Sequence, residues 1–192
     1  MKHWLRRSAF VIAAILLVLT FVNASWLAPK PVGGVKLVAH RGVYQLYDHK
    51  GLGRDDCTAD RIEQPVHDYL ENTTRSMQAA ARLGADTVEI DIAPTADGRI
   101  AVFHDWIVDC KTDGQGDTRS KTLAELQALD PGYGYTSNGG KNFPLRGKGK
   151  DRIPSLEEAL RALPNTTILL NFKSHDPPEA GQLAAALKAA RR

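Results

Sequence analysis

Two carboxylates one residue apart, Glu89 and Asp91, lie in the run Thr87-Val-Glu-Ile-Asp-Ile92, where Val88, Ile90 and Ile92 alternate with the polar positions. A period of two puts both carboxylates on one face of a strand. Two further runs end in a histidine beside a charge. Val35-Lys-Leu-Val-Ala39 leads into His40-Arg41-Gly42, and Ile100-Ala-Val-Phe103 leads into His104-Asp105. A fourth run, Thr166 to Phe172, carries Asn171 and is followed by Lys173. Taken singly, each group has a plain structural reading, because lone histidines and Glu-x-Asp pairs are common on solvated faces. Their convergence weakens that reading, since ionisable groups gathered at one sheet edge are expensive to bury unless paired or metal-bound. His40 and His104 could exchange protons, Glu89 and Asp91 are hard oxygen ligands for Mg²⁺ or Ca²⁺, and Arg41 and Lys173 can offset phosphate charge. The chemistry of that set is metal-assisted phosphoryl transfer.

The elements that must position these residues follow from periodicity and punctuation. A helix is expected from near Asn72 to Leu83, closed by Gly84, and the Ala96-Asp97-Gly98 turn joins the second and third strands. A short helix is expected around Leu123 to Leu129. Ser155 followed by Glu158 is a capping box opening a helix to Leu163, and Pro178 to Ala190 is a closing Ala/Leu helix. Strands alternating with helices predict an α/β fold with a parallel sheet, whose active site lies at the C-terminal strand ends. Val43 to Leu70 is polar and aperiodic, a long loop of the kind that carries function. Lys141 to Arg152 holds several cations among glycines but lacks a P-loop ending, so no site residue is taken from it.

Val38-Ala-His-Arg-Gly42, Glu71-Asn-Thr73, Gly84-Ala-Asp-Thr-Val-Glu-Ile-Asp91, Thr95-Ala-Asp-Gly98, Val102-Phe-His-Asp105 and Ile153-Pro-Ser-Leu-Glu-Glu158 resemble, in order, the motif series of the glycerophosphodiester phosphodiesterase family. That resemblance implies a TIM-type (β/α) barrel that binds a divalent cation, Mg²⁺ or Ca²⁺. It also implies cleavage of a small-molecule glycerophosphodiester into an alcohol and glycerol 3-phosphate, in lipid metabolism. By the same likeness His40 and His104 are the catalytic acid and base, Arg41 and Lys173 bind the phosphate, Glu89 and Asp91 ligate the metal, and Glu71 and Asn72 stand near the site. The family usually has Glu where Asn171 stands, so the third ligand here is an amide and the site carries one charge fewer. Phospholipase-D-like action on lysophospholipid headgroups uses a similar residue set and is the alternative chemistry; a catalytically inactive, membrane-tethered remnant is the alternative outside enzymes.

The N-terminus is of a different character. Lys2, Arg6 and Arg7 precede an uncharged run from Ser8 to Ala28, flanked by Trp4 and Trp26. At about 21 residues the run is long enough to span a bilayer. Residues 1–30 are thus expected to be a transmembrane anchor, with cleavage after Val22-Asn23-Ala24 as the alternative, and residues 31–192 a partial phosphodiesterase domain. About 160 residues follow this segment against ~250 for a full barrel, so the expected fold is a barrel truncated after about the fourth strand. Lys2, Arg6 and Arg7 account for the whole excess of 25 Lys plus Arg over 22 Asp plus Glu. The neutral remainder lacks the basic surface of a nucleic-acid binder. Cys57 and Cys110 are expected to form one disulfide in an oxidising compartment. The positive-inside rule places everything after Pro31 on the exported side. A reporter fused after Arg192 should be active only outside the cytoplasm; activity confined to the cytoplasm would overturn that topology.

Overall fold

In the computed structural model, which describes residues 2–28, 33–53, 55–148, 151–174 and 176–190, the chain divides into two units, Met1–Val35 and Lys36–Arg192. The expected domain boundary at residues 30 and 31 falls outside the described residues. The first unit is the helix α1 (Lys2–Val22) followed by a 3-10 turn, Ser25–Leu27. Residues His3–Val22 are long and apolar enough to cross a membrane, and none of that helix is buried. Two polar side chains at its C-terminal end bond locally: Thr20 Oγ1 donates to the Leu16 carbonyl and Asn23 Nδ2 to that of Leu19. Local bonding of this kind is what an apolar solvent requires of a polar group.

The second unit is organised around β2 (Thr87–Pro94), whose two faces are both buried. Val88, Ile90 and Ile92 pack with Met77, Val102, Leu156 and Leu160 in the main core. The core helices are α2 (Thr74–Arg82) and α4 (Leu156–Ala162), with α5 (Pro177–Ala189) packed on its margin. The opposite face carries Glu89 and Asp91. One edge of β2 pairs in parallel with β1 (Val38–His40), and β4 (Thr167–Phe172) pairs with it in parallel over Thr87 to Ile92. This register sets His40 beside Glu89 and Asn171 beside Asp91.

The expectation of an all-parallel sheet is corrected at β3 (Ile100–Val102), which returns antiparallel to β2 through Ile92↔Val102 and Pro94↔Ile100. A connection this short can only be a hairpin, because a parallel return needs a crossover of a dozen residues or more. Three strands are therefore parallel barrel-type strands, where four were expected, and His104-Asp105 follow a hairpin strand. The α2 helix also begins later than expected. Asn72 has φ 57° and cannot be helical, while Thr73 is the N-cap and its side chain accepts from Ser76 N. The capping box at Ser155 and Glu158 forms as read, and a second one, Thr122 with Glu125, opens α3 (Leu123–Gln127).

The segment read as a long loop is folded. Tyr47 bridges to Ile62, and Ala59, Ile62 and Leu70 make a small core with Tyr135 and Leu145. Cys57 and Cys110 are bonded, with Cα atoms 5.6 Å apart, beside that core.

Gly42 shows how tightly the start of the site is packed on α2. Its φ is +80°, and a Cβ there would lie 2.6 Å from Ser76 Oγ and 2.9 Å from Met77 N. Left-handed backbone disfavours a side chain by ~1–2 kcal/mol and overpacking adds ~1–3 kcal/mol. Gly42→Ala should therefore destabilise the full chain by about 2–5 kcal/mol in urea unfolding; a change below about 1 kcal/mol would show that the β1–α2 contact is looser than described.

Candidate active site

The end of β1 is held to β2 by backbone bonds before any side chain contributes. Arg41 N donates to the Glu89 carbonyl at 2.9 Å, and Asn72 N donates to the Arg41 carbonyl at 2.9 Å. Both Arg41 (φ 59°) and Asn72 (φ 57°) occupy the left-handed region. Each such conformation in a non-glycine residue costs of order 1–3 kcal/mol and persists where its surroundings dictate it. Here the dictating contacts run through Asn72. Its Oδ1 accepts from Asp91 N at 3.1 Å and its Nδ2 donates to Asp91 Oδ2 at 2.9 Å, so one amide fixes both the strand backbone and its carboxylate.

A chain of buried charges surrounds this brace. Arg41 is 8% exposed. One of its Nη atoms lies 3.2 Å from Glu71, and its Nε lies 3.0 Å from Asp91 Oδ2. The second contact is an ion pair whose geometry leaves Nε without a hydrogen bond. Glu71 also accepts from Lys111 Nζ at 2.8 Å, and the same ammonium donates to Asp105 at 2.9 Å. Asp105 in turn contacts His104 Nδ1 at 2.6 Å, and His104 Nε2 faces Lys173 Nζ at 2.7 Å. Because an ionised carboxylate can only accept, the contact with Asp105 places the proton of a neutral His104 on Nδ1 and leaves Nε2 as the acceptor.

Burial works to raise the Glu71 carboxyl, but Lys111 and Arg41 outweigh it and hold the group low. Burial likewise opposes ionisation of Asp105, yet the hydrogen bond to His104 and the charge of Lys111 bring it down to about 2. Glu89 goes the other way: burial first, and then the charge of Asp91, push it up. His40 is half exposed, with Nε2 3.9 Å from Glu89 Oε2, and is lowered by burial and by Arg41.

The structure thus gathers all nine of the expected site residues on two linked clusters. His40, Glu89, Asp91 and Asn171 sit on adjacent strand ends, while Arg41, Glu71, Asn72, His104 and Lys173 lie on or beside the charge chain. Among the described residues no three His, Cys, Asp or Glu side chains converge as a metal centre. The oxygen set available is two carboxylates and the Asn171 amide. It fits a hard cation in charge, because Glu89 carries a burial and repulsion penalty that a divalent ion would relieve. Asp91 accepts Asn72 and the Arg41 ion pair on Oδ2 and Asn171 Nδ2, at 3.0 Å, on Oδ1. A carboxylate has about four acceptor directions, so one remains on Oδ1. Asn171 as placed turns its amino group to Asp91, and presenting its oxygen to a cation requires the amide to rotate.

Lys111 was not legible as a site residue. The only sequence signal was its position beside Cys110, and its role depends on a contact with Glu71 forty residues away. Asp105 was noted for its charge, and its partners emerge only in the fold. Because its folded value lies below the unfolded 3.8, Asp105 stabilises the native state fully above about pH 4, and that contribution is lost as pH falls toward 2. The shift corresponds to about 2 kcal/mol. Asp105→Asn should remove that much of the pH 7 to pH 2 dependence of stability, measured by urea titration of the full chain; an unchanged dependence would refute the assignment.

The sequence matches the glycerophosphoryl diester phosphodiesterase family over residues 40–191. It is 38% identical over 138 residues to glycerophosphodiester phosphodiesterase 1 of Mus musculus, covering 70% of this chain and 38% of that protein. It is 35% identical over 103 residues to the glycerophosphodiester phosphodiesterase of Caldanaerobacter subterraneus subsp. tengcongensis, covering 54% of this chain and 39% of the relative. The chain therefore spans well under two thirds of the length of these curated relatives. Its structure is similar to the glycerophosphoryl diester phosphodiesterase domain of a Mycobacterium tuberculosis protein, with TM-score 0.60 and 26% identity over 82% of this chain and 49% of that one. It is also similar to an Oleispira antarctica phosphodiesterase solved in complex with the product sn-glycerol-3-phosphate, with TM-score 0.54 and 26% identity over 82% of this chain and 52% of that one. The one-sheet α/β unit is accordingly part of the family's TIM-barrel fold. With its motif residues assembled at one end of β1, β2 and β4, the chain belongs to the glycerophosphoryl diester phosphodiesterase family.

Proposed function

We propose that this domain cleaves a glycerophosphodiester to an alcohol and glycerol 3-phosphate at the strand ends described above, held on the exported side of a membrane by α1. The observation that carries the reading is the register of β2: pairing with β1 sets His40 beside Glu89, and pairing with β4 sets Asn171 beside Asp91. The product complex of the Oleispira antarctica relative supports the reaction class.

A phosphodiester needs its charge offset, its nucleophile deprotonated and its leaving alkoxide protonated. His40 and His104 supply the two proton transfers. His104 is suited to this by Asp105, which orients the ring through Nδ1 and can stabilise an imidazolium. His40 is kept neutral at neutral pH by burial and by Arg41, leaving its imidazole free to exchange a proton. Arg41 is pinned by two carboxylates, so its remaining donors can meet a phosphate oxygen without reorganising. Lys173 brings a second positive charge next to His104. Glu89, Asp91 and the Asn171 amide would hold a divalent cation, which supplies Lewis-acid polarisation of the phosphoryl group. With one carboxylate fewer than the usual family set, its affinity is expected to be lower.

The test uses the full chain with glycerophosphocholine as substrate and calorimetric titration of Mg²⁺ and Ca²⁺. His40→Ala and His104→Ala should each lower turnover by about 10²-fold or more while leaving cation affinity unchanged. The pair Glu89→Gln and Asp91→Asn should weaken cation binding by roughly 10²-fold or more. Retained turnover in either histidine variant excludes that histidine, and unchanged affinity in the carboxylate double variant excludes the metal assignment.

A further inference from the structure

Lys111 is 2% exposed, and its ammonium joins two carboxylates that lead to opposite sides of the site. Glu71 leads to Arg41 and through it to Asp91; Asp105 leads to His104 and through it to Lys173. Lys111 is the described group that touches both arms, at 2.8 Å and 2.9 Å.

Its backbone is constrained from three sides. The preceding residue, Cys110, is bonded to Cys57. Gly134 lies so close to the Cys110 carbonyl that a Cβ there would fall 1.9 Å from the oxygen, a position no side chain can take. Gly134 N then donates to the Lys111 carbonyl at 3.3 Å. A long, flexible side chain is thereby anchored at its root and paired at its tip.

Stability alone is a weak reason for such an arrangement, since a buried ion network is often no better than apolar residues of the same volume. What an apolar residue could not do is hold Asp105 as an anion in one orientation next to a second buried carboxylate.

We propose that Lys111 is a positioning residue for the phosphodiesterase reaction: by clamping Glu71 and Asp105 together, it fixes Asp105 as the acceptor that holds His104 in its Nδ1-protonated tautomer with Nε2 turned to the reacting groups. The disulfide and Gly134 set the place from which it does so. The turnover part of this proposal rests on the functional reading above; the geometric part does not.

The experiment compares the full chain with Lys111→Met and Lys111→Arg, using ¹⁵N-histidine labelling and steady-state kinetics. The parent should show His104 protonated at Nδ1. In Lys111→Met, with the remaining histidine signals and the circular dichroism spectrum unchanged, His104 should lose that signature, and kcat should fall about 10–100-fold with KM within about threefold of the parent. Lys111→Arg, which keeps a charge able to meet both carboxylates, should recover the tautomer and most of kcat. A folded Lys111→Met whose His104 keeps the Nδ1–H signature overturns the proposal. If that variant does not fold, the parent and Lys111→Arg decide: an Nε2-protonated His104 in the parent, or loss of the Nδ1–H signature in folded Lys111→Arg, also overturns it. A parent that shows the tautomer but no turnover under any cation supports the positioning geometry and counts against the reaction assigned above.

Discussion

Glu71, Asp91 and Asp105 are three carboxylates withdrawn from water in one small region, and the free energy of burying them is acceptable only because Arg41 and Lys111 are buried among them. Each cation touches two of the acids, so the charges are linked in a line rather than isolated in pairs. Removing either cation leaves buried carboxylates uncompensated in a low-dielectric setting, which is far more costly than losing an exposed ion pair. Much of the local architecture can be traced to this requirement. The left-handed backbone at Arg41 and Asn72, the close approach of Gly42 to α2 and the bonded cysteines beside Lys111 all bring a charge to its partner.

The second organising feature is the central position of β2. Its core-facing residues Val88, Ile90 and Ile92 are held by α2 and α4, while the alternate residues Glu89 and Asp91 face the site. Because the period is two, register on either flank decides which neighbour each carboxylate meets. A slip of one residue in β1 or β4 would move His40 or Asn171 to the wrong face. The hairpin to β3 carries the chain back across the end of β2, and Phe103 N donates to the Asp91 carbonyl at 3.0 Å, so the chain reaches His104 beside the end of β2.

The electrostatics separate the two carboxylates of the Glu-x-Asp pair. Asp91 accepts from Asn72 and Asn171 and pairs with Arg41, with one acceptor direction left on Oδ1. Glu89 accepts from Arg41 N at 3.3 Å and faces His40, and burial and then the charge of Asp91 raise it. Equivalent positions on one strand face have thus produced one carboxylate tied into the charge network and one whose ionisation burial opposes.

Local pattern alone revealed the alternation of β2, the capping box at Ser155, the apolar α1 and the polar residues at the strand ends from His40 to Lys173, while Glu71 and Asn72 were marked by motif order. These are properties of short stretches, and hydrophobic period or motif order suffices to read them. A parallel reading of the sheet misses the return of β3, although the short Ala96-Asp97-Gly98 turn leaves no room for a parallel crossover. The fold of Val43 to Leu70 was hidden because its small core is assembled from Tyr135 and Leu145, far along the chain. Lys111 was missed because only the neighbouring Cys110 marks it in sequence, and its two carboxylate partners lie 40 and 6 residues away. The sequence by itself determined which chemical groups are present and on which strand ends they ride. Only the tertiary structure decided which charges are buried together and so which tautomer and ionisation each adopts, because those depend on distance and dielectric, quantities that no local pattern encodes.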